Sequence, residues 1–436
     1  MVDLLLRDLE RSGPPVDRSI DDEDEMLHFA RELHDFDEDA ALAAYFRDGL
    51  SVLSAVRQLA AWRRGGLAGL ESMLDFASGY GRVTRFLVRE MEPDRLWVSD
   101  IYRGAVEFQQ ASFGVHGFMS ADRPENFTAP RRFDFIFVTS LFTHLPERTF
   151  SGWLERLLGS LSPGGLLAFS VHDAALAPPG RAMPESGILF DPSSESRSLD
   201  PEAYGSTWVT ESFVRAAAAR LAPGAALIRL PRALGRFQDL YALDLSAEGG
   251  PRAFDPGPFG SFDLCTWRPA EDGGGRLIIR GWAAQQASGA IRSVRVWISG
   301  GHAAETRDLG DRPDVRAVVP EASPRVGFEI EVPLPARTAF GSLPMLVEAE
   351  SSTGVRAPLY AGTLANALLL STRTELALSE KARQLEIDLR RQDAEIAAMK
   401  AAELRARIAA MEASRFWKLR NAWFRVKRGL GLTDET

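Results

Sequence analysis

Lysine is almost absent from most of this 436-residue sequence. The first lysine is Lys381, and only Lys400, Lys418 and Lys427 follow it. Without a lysine before position 381, this long stretch cannot supply the lysine of a Walker-type phosphate loop, a Schiff base or a kinase strand. Three large classes of enzyme chemistry are therefore excluded from it.

Cysteine and long apolar runs are equally scarce. The single cysteine, Cys265, excludes an internal disulfide and a cysteine-rich zinc site and fits a reducing cytoplasm. No group of histidines and carboxylates has the spacing of metal ligands, so we expect no metal. No run approaches the roughly 20 apolar residues needed to span a bilayer, and the short apolar run Leu4–Leu6 lacks the basic, apolar and small-residue order of a secretory signal. We expect a cytoplasmic protein whose membrane contact is peripheral, on the inner face of the cytoplasmic membrane.

The charge balance is acidic, with 51 basic against 60 acidic residues and a net charge of -9. Such a balance does not predict nucleic-acid binding, which calls for a positive surface. An apolar fraction of 45% is enough for real cores, and the length suggests about three units. The acidic run, Asp21 to Glu25 and then Asp35 to Asp39, is predicted to be a solvated helix face.

Changes in hydrophobic period divide the chain into predicted segments. They are a helical segment (1–66), an α/β domain (67–248), a linker rich in proline and glycine (249–264), an antiparallel β-sandwich (265–365), a coiled-coil helix (372–414) and a basic amphipathic helix (415–430).

The α/β domain is predicted from short apolar runs that alternate with helical stretches, a pattern typical of a parallel sheet. The expected strands are 72–76, 95–99, 116–119, 133–139, 164–171, 225–230 and 237–244. The last two are joined by a short connection and should form an antiparallel hairpin. Residues 173–207 are too polar for regular structure, and we expect them to cover or line a ligand site.

The strongest motif is the stretch 73–91, MLDFASGYGRVTRFLVREM. An apolar strand carries Asp75, a turn of small residues (77–81) follows, and then an amphipathic helix begins. Glycines let a backbone approach a ligand closely, and a helix N-terminus favours anionic groups. The next strand ends at Asp100, where a carboxylate can accept hydrogen bonds from ribose hydroxyls. Thr84 stands where a dinucleotide-binding turn has its third glycine, and Asp75 suits a cationic ligand better than a pyrophosphate.

On these residues the chain resembles the class I S-adenosylmethionine-dependent methyltransferases, with LDFASGYGR as their first motif. The resemblance continues through RRFDFIFVTSLFTHLPE and LSPGGLLAFSVH and covers roughly 70–245. It implies a seven-stranded Rossmann-like sheet that ends in an antiparallel hairpin, and S-adenosyl-L-methionine as cofactor. The family usually has glycine where Ala77 stands; we expect altered packing there rather than lost binding.

The resemblance also implies which positions contact the cofactor. The methionine part of the cofactor would lie among the motif residues and its ribose at Asp100. Its adenine would lie near the residues after the second and third strands, and Thr139 would lie beneath the cofactor. The implied residues are Asp75, Ala77, Ser78, Gly79, Gly81, Asp100, Ile101, Ala121, Asp122 and Thr139.

Methyl transfer to an alcohol requires aligned reactants and removal of a proton. Candidate catalytic residues are His144, His172 and Asp173, because the two histidines follow strand carboxyl ends and Asp173 is adjacent. Tyr204 is a further candidate. A histidine in such a loop can instead have only a structural hydrogen-bonding role.

The remaining parts suggest where the enzyme works. GWA (281–283), RPDV (312–315) and GFEIEVPLP (327–335) resemble an accessory β-domain of bacterial surface-polysaccharide enzymes, although a structural spacer explains them as well.

Apolar residues from Leu378 to Met411 follow a coiled-coil spacing, which predicts a homo-oligomer; a single amphipathic helix folded onto the body is the alternative. The tail has an apolar face, Phe416, Leu419, Trp423, Val426 and Leu430, beside six cations, which favours an anionic membrane surface. Calmodulin-like or nucleic-acid binding uses a similar composition and is the alternative for this tail.

The sequence therefore predicts an O-methyltransferase that modifies a sugar hydroxyl of a cell-surface polysaccharide or of its lipid-linked precursor. Two alternatives remain open. One keeps the cofactor but methylates an amine or carboxylate of a small metabolite. The other is a membrane-associated scaffold of a glycan-assembly complex that has lost catalysis.

Overall fold

A computed structural model describes residues 1–193, 199–246, 254–271, 274–285, 289–299, 301–320, 322–335, 341, 343–413 and 415–429. The chain forms two compact units, Met1–Leu368 and Leu369–Thr436. Part of the predicted linker (249–253) and Leu430 of the predicted basic helix lie outside the described residues.

Three helices precede the sheet: α1 (Val2–Arg11), α2 (Glu25–Leu33) and α3 (Glu38–Arg64). Asp24 and Asp37 cap α2 and α3 by accepting hydrogen bonds from backbone N–H groups in the first turn, as short acidic side chains do at helix starts. The acidic run was predicted to be a solvated helix face, and this is wrong for most of it. Residues 21–24 precede α2, and Asp24 is buried because it serves as the cap.

The central sheet has a strand at each of the seven positions expected from the sequence. In chain order they are β1 (Met73–Phe76), β2 (Leu96–Asp100), β3 (His116–Met119), β4 (Phe133–Val138), β5 (Leu161–Asp173), β8 (Ala226–Leu234) and β9 (Gln238–Asp244). The first five are parallel in the order β3-β2-β1-β4-β5; β9 lies antiparallel beside β5, with β8 outside it. The predicted α/β class with a mostly parallel sheet is confirmed.

Four helices accompany these strands: α4 (Thr84–Leu87), α5 (Arg103–Phe113), α6 (Glu147–Gly159) and α7 (Glu211–Leu221). Phe150, Leu154 and Leu157 of α6 pack in one apolar cluster with the sheet, while Val56 and Leu59 of α3 belong to the cluster that also contains Phe135 and Leu166 of the sheet. The sheet is therefore covered on both faces, as a parallel sheet requires.

The segment predicted to lack regular structure (173–207) contains a second hairpin. Strands β6 (Ile188–Asp191) and β7 (Ser206–Val209) pair with each other, and β7 also pairs with the end of β5 through His172 and Asp173. Each strand has only four residues, too few to show a period of two in a polar stretch. Residues 194–198 between them lie outside the described part.

The antiparallel region has eight strands and one short helix. They are β10 (Phe259–Pro269), β11 (Gly275–Ala284), β12 (Ile291–Ile298), β13 (Gly301–Thr306), β14 (Gly310–Asp311), α8 (Pro313–Val318), β15 (Arg325–Leu334), β16 (Pro344–Ser351) and β17 (Arg356–Thr363). They form two sheets of four strands, ordered β10-β11-β15-β14 and β13-β12-β16-β17. Alternate residues of both sheets, such as Ile279, Val296, Ile330 and Val347, share one apolar core.

The N-terminal helices hold the antiparallel region against the α/β domain. Leu4 of α1 packs against Trp297 and Leu346, and the Arg7 guanidinium donates to Glu348 over 2.5 Å. Ser351 donates its hydroxyl to buried Asp255 at 2.7 Å, and the Asp255 backbone N–H donates to the side chain of Gln58 in α3. The two sheeted parts therefore belong to one compact unit.

The chain continues as α9 (Leu364–Ala413) and α10 (Arg415–Gly429). A 50-residue α-helix is about 75 Å long. The apolar side chains Leu389, Ile396, Met399, Leu404, Ile408 and Met411 of the expected coiled-coil spacing are all at least 45% exposed. The side chains of Leu378, Ala382, Leu385 and Phe416 lie outside the described part. Within the described residues, no helix combines the length and the apolar character that crossing a membrane requires.

Candidate active site

The turn after β1 is built by left-handed backbone conformations. Ala77, Gly79 and Gly81 have φ angles of 57°, 54° and 76°. The backbone N–H groups of Ala77 and Ser78 both donate to the carbonyl of Ser99 in β2, at 2.8 and 3.3 Å. A Cβ at Gly81 would lie 2.5 Å from the Phe113 ring, whereas a Cβ at Gly79 would meet no atom within 4 Å. The turn is thus packed behind Gly81 and open beside Gly79, as a ligand cradle requires.

The methyl group of Ala77 is expected from the sequence to alter packing only, but the structure shows an effect on the backbone. Its cost lies in the backbone, because a residue with a Cβ is disfavoured in the left-handed region by roughly 1–2 kcal/mol.

Two buried carboxylates flank the turn. Asp75 accepts a hydrogen bond from the Thr84 hydroxyl at 2.9 Å, and Asp100 accepts from the backbone N–H groups of Gly79 (2.8 Å) and Tyr102 (3.0 Å). Burial first, and the neighbouring charge of Asp100 to a smaller extent, raise the pKa of Asp75 to about 7. Burial also raises the pKa of Asp100. Two buried acids with raised pKa values fit a cationic ligand, which would favour their ionised form.

Gln109 of α5 holds the turn from behind, a role that the sequence did not reveal. Its side-chain N–H group donates to the Ser78 hydroxyl at 2.9 Å and to the Gly79 carbonyl at 2.7 Å. The side chain is fully buried, and its Oε1 atom has no hydrogen-bond partner among the described residues.

Arg85 of α4 is a second residue that sequence reasoning missed. It is fully buried and donates to the carbonyls of Gly81 (3.1 Å), Asp17 (3.1 Å) and Ser19 (2.9 Å). Its guanidinium also donates to the Tyr45 hydroxyl at 3.3 Å, and that hydroxyl donates to Asp24 at 2.6 Å. Arg85 therefore joins the glycine turn to the segment between α1 and α2. An arginine directly before the apolar residues 86–88 is the sequence signal that could have indicated it.

The other predicted cofactor residues follow the carboxyl ends of neighbouring strands. Ile101 comes directly after Asp100 and is 37% exposed. Ala121 and Asp122 follow β3, where the Ser120 N–H donates to the Asp100 carbonyl at 2.8 Å. Thr139 follows β4 and is half-buried. The structure thus brings all ten predicted cofactor positions to one edge of the sheet, the edge where parallel sheets bind ligands.

His144 also follows β4 at this edge of the sheet. Its Nδ1 lies 2.7 Å from the Gly205 carbonyl, and since a carbonyl only accepts, Nδ1 carries the proton and Nε2 holds a lone pair. The Tyr204 ring stacks on the imidazole with centroids 4.5 Å apart. Burial lowers the pKa of His144 to about 4, so the ring is neutral at physiological pH.

His172, at the end of β5, lies beside His144 with ring centroids 6.5 Å apart. Burial lowers its pKa, and its Nδ1 atom is buried without a hydrogen-bond partner among the described residues. The rings of Trp208 and Phe237 lie 6.1 and 6.5 Å from it, and Phe237 is 53% exposed. The hairpin β6–β7 and the turn before β9 thus add aromatic walls around two neutral imidazoles.

Asp173 has a different environment from the one expected of a catalytic acid or base. One oxygen accepts from Arg229 at 2.7 Å, and the other accepts from the Ala175 N–H at 2.9 Å. Arg229 also pairs with Glu211 and with buried Asp239. One oxygen therefore helps to join β5, β8 and β9 through Arg229, the other caps the turn directly after β5, and Asp173 has a structural role.

The chain can be compared with known proteins at this point. Residues 42–246 match a family described as a methyltransferase domain. No curated protein matches the chain. Structures with detectable similarity include the DhpI–SAH complex (16% identity, 50% of this chain and 94% of that chain, TM-score 0.34) and the glycopeptide N-methyltransferase MtfA (16%, 39% and 82%, TM-score 0.29). An O-methyltransferase family protein from Burkholderia thailandensis is a third (16%, 50% and 63%, TM-score 0.33).

These structural likenesses are distant and carry no argument about the substrate. The family match covers the α/β domain, and within it lie the strand order, the glycine turn and the two carboxylates described above. The protein is an S-adenosylmethionine-dependent methyltransferase, and S-adenosyl-L-methionine is its cofactor.

Proposed function

We propose that this methyltransferase transfers a methyl group to a hydroxyl of a sugar residue in a bacterial cell-surface polysaccharide or its lipid-linked precursor. The observation that carries the proposal is His144. The imidazole ring is neutral, and its Nδ1–H group donates to the Gly205 carbonyl. This hydrogen bond and the stacked Tyr204 ring orient the lone pair on Nε2. An alcohol needs such a base, because its proton must leave as the new bond forms.

Each residue has a separate role in this proposal. Asp75 and Asp100 hold the cofactor beside the glycine turn, with Ile101, Ala121, Asp122 and Thr139 around its adenosine part. Bound S-adenosylmethionine supplies the methyl carbon: the acceptor oxygen bonds to it as the carbon–sulfur bond breaks, and neutral S-adenosylhomocysteine remains. His144 Nε2 takes the hydroxyl proton. His172 lies close enough to orient the acceptor hydroxyl or to receive the proton in its place.

The aromatic walls support a sugar as the acceptor. Tyr204, Trp208 and Phe237 surround the two histidines with flat apolar faces. A pyranose ring presents one apolar face and a rim of hydroxyls, so it suits a site that combines aromatic rings with neutral hydrogen-bonding groups.

The C-terminal helices support a location at a membrane. Leu419, Trp423 and Val426 of α10 are each more than half exposed, and six cations accompany them: Arg415, Lys418, Arg420, Arg425, Lys427 and Arg428. Each cation near an anionic surface contributes about 1 kcal/mol. We propose that α10 holds the enzyme on the inner face of the cytoplasmic membrane, and that the exposed apolar residues of α9 pair with a second copy as a coiled coil.

The proposal is tested with labelled S-adenosylmethionine, purified lipid-linked glycan and full-length protein. We expect label in the glycan, and a rate at least a hundredfold lower for His144→Gln. His116→Gln is the matched control: His116 is exposed at the start of β3 and should leave the rate unchanged. Label that enters only small metabolites would support the alternative acceptor, an amine or carboxylate, and would overturn the sugar assignment. An amine can arrive deprotonated, so that reaction would depend little on His144.

A further inference from the structure

Helix α2 and the turn after it carry an exposed apolar face that the methyltransferase reaction does not use. Phe29 and Leu33 lie one helical turn apart on α2, and Phe36 follows in the turn to α3. Their side chains are 40%, 64% and 73% exposed. Three large apolar side chains so exposed and so close in the chain are typical of an interaction surface. We call these three residues the α2 face.

The turn that carries Phe36 has an unusual backbone. Asp35 and Phe36 have φ angles of 52° and 60°, a left-handed conformation that bulky side chains rarely adopt. The Phe36 N–H donates to the Arg31 carbonyl at 2.8 Å and holds the turn closed after α2 ends. The backbone is thus strained at the residue whose ring is most exposed, a combination typical of functional surfaces.

The surroundings of the α2 face are strongly acidic. Residues 21–39 include ten acidic residues and one arginine, and that arginine, Arg31, is paired with Glu38 at 2.7 Å. Six of the carboxylates are exposed: Asp22, Glu23, Glu32, Asp35, Glu38 and Asp39. A partner for this surface therefore combines apolar side chains with positive charge.

Helix α10 has this complementary chemistry. Leu419, Trp423 and Val426 lie on one side of the helix, and each is more than half exposed. Six cations and no acidic residue accompany them in 415–429. Three apolar side chains and six charges of opposite sign thus match on two surfaces of the same sequence.

The length of α9 favours a second copy as the source of that α10. Helix α9 begins beside the turn after α2, where the Asn366 side-chain amide donates to Asp37 Oδ2 at 3.1 Å. Its 50 residues separate the two ends of the helix by about 75 Å, so α10 follows at the end remote from Asn366. A second copy whose α9 runs antiparallel to the first brings its own α10 back to the start of α9.

We propose that α10 of a second copy docks on the α2 face, in an antiparallel pair of chains joined along α9. The apolar side chains of α10 pack on the three residues of the face, and its cations lie among the exposed carboxylates. Anionic lipid attracts α10 by the same chemistry, so the helix has two alternative binding surfaces. The inference rests on the proposed pairing of α9 and not on which acceptor is methylated.

Cysteine cross-linking of the full-length protein tests the proposal. The native Cys265 is 1% exposed and should not react, so Leu33→Cys and Leu419→Cys are introduced together and treated with a short bismaleimide. We expect a covalent dimer in which mass spectrometry finds position 33 of one copy linked to position 419 of the other. Each single variant should give at least tenfold less dimer. Phe36→Ser, added to the pair, should lower the yield at least fivefold.

Val318 provides the matched control, because it is an apolar residue of α8 that is 82% exposed. Val318→Cys combined with Leu419→Cys should give at least tenfold less dimer, and Val318→Ser added to the first pair should leave its yield unchanged. A link between positions 33 and 419 within one chain would show that the chain's own α10 covers the face, and would overturn the proposal. Absence of the link, equal links in the Val318 pair, or a monomer in light scattering of the wild type also overturns it, whatever the outcome of the methylation assay.

Discussion

Ala77 carries strain that its neighbours in the turn avoid. Replacing it with glycine removes the clash of a Cβ at φ 57°, a gain of about 1–2 kcal/mol that the greater freedom of glycine in the unfolded chain partly offsets. We expect Ala77→Gly to raise the free energy of unfolding by about 0.5–1 kcal/mol, measured by urea denaturation. Ala216→Gly, on the exposed face of α7, should lower it by about 1 kcal/mol. A destabilised Ala77→Gly protein would contradict the strain.

We expect Asp75 to make cofactor binding depend on pH. Its pKa near 7 means that the carboxyl is largely protonated at pH 6 and ionised at pH 8. Only the ionised form attracts the cationic cofactor, so the Kd for S-adenosylmethionine should fall several-fold as the pH rises from 6 to 8. Calorimetric titration measures it.

The matched variants separate Asp75 from other acids near the site. Asp75→Asn should bind more weakly at pH 8 and lose this part of the pH dependence, whereas Asp122→Asn, which alters an exposed carboxyl, should keep it. A pH profile of Asp75→Asn identical to that of the wild type would rule out Asp75 as the titrating group.

At the scale of elements, Arg85 connects the segment between α1 and α2 with the glycine turn. Arg85→Met leaves the carbonyls of Asp17 and Ser19 without their buried donor, at roughly 1–3 kcal/mol for each group left unsatisfied, while the Gly81 carbonyl keeps only its hydrogen bond from the backbone N–H of residue 85. We expect at least tenfold weaker cofactor binding together with faster amide hydrogen exchange in residues 12–24.

The exchange measurement distinguishes this role from general destabilisation. Arg103→Met removes an exposed guanidinium from α5 and should change neither quantity. If Arg85→Met weakened binding without faster exchange in residues 12–24, the proposed connection between the two elements would be wrong.

At the scale of the whole molecule, we expect α10 to decide whether the enzyme associates with membranes. Removing residues 415–430 takes away six cations and the exposed apolar face, so the protein should no longer float with anionic liposomes. Its affinity for S-adenosylhomocysteine should not change, because none of the predicted cofactor residues lies in this tail. Neutral phosphatidylcholine liposomes serve as the control surface, and equal flotation of both proteins on anionic liposomes would refute the membrane proposal.

Sequence patterns were sufficient wherever neighbouring residues share one element. The strand with Asp75, the glycine turn and the second strand ending at Asp100 could be read directly, because each combines a local hydrophobic period with a local turn signal. The same reasoning failed for β6 and β7, which have four residues each. These strands form because β7 pairs with the end of β5 and β6 pairs with β7. Sequence reasoning also assigned Asp173 to catalysis. It could not foresee that Asp173 pairs with Arg229, because the two residues are 56 positions apart in the chain.

What the sequence by itself determined is the α/β class, the cofactor motif and the presence of an apolar, basic tail, because periodicity and residue type are local properties. The tertiary structure decided which polar groups are buried and with what partners. Only the folded chain places Arg85 between the glycine turn and residues 17 and 19 and fixes the tautomer of His144 against Gly205. Burial raises the cost of every unpaired or charged group, so the chemistry of these residues depends on contacts that distant parts of the chain supply.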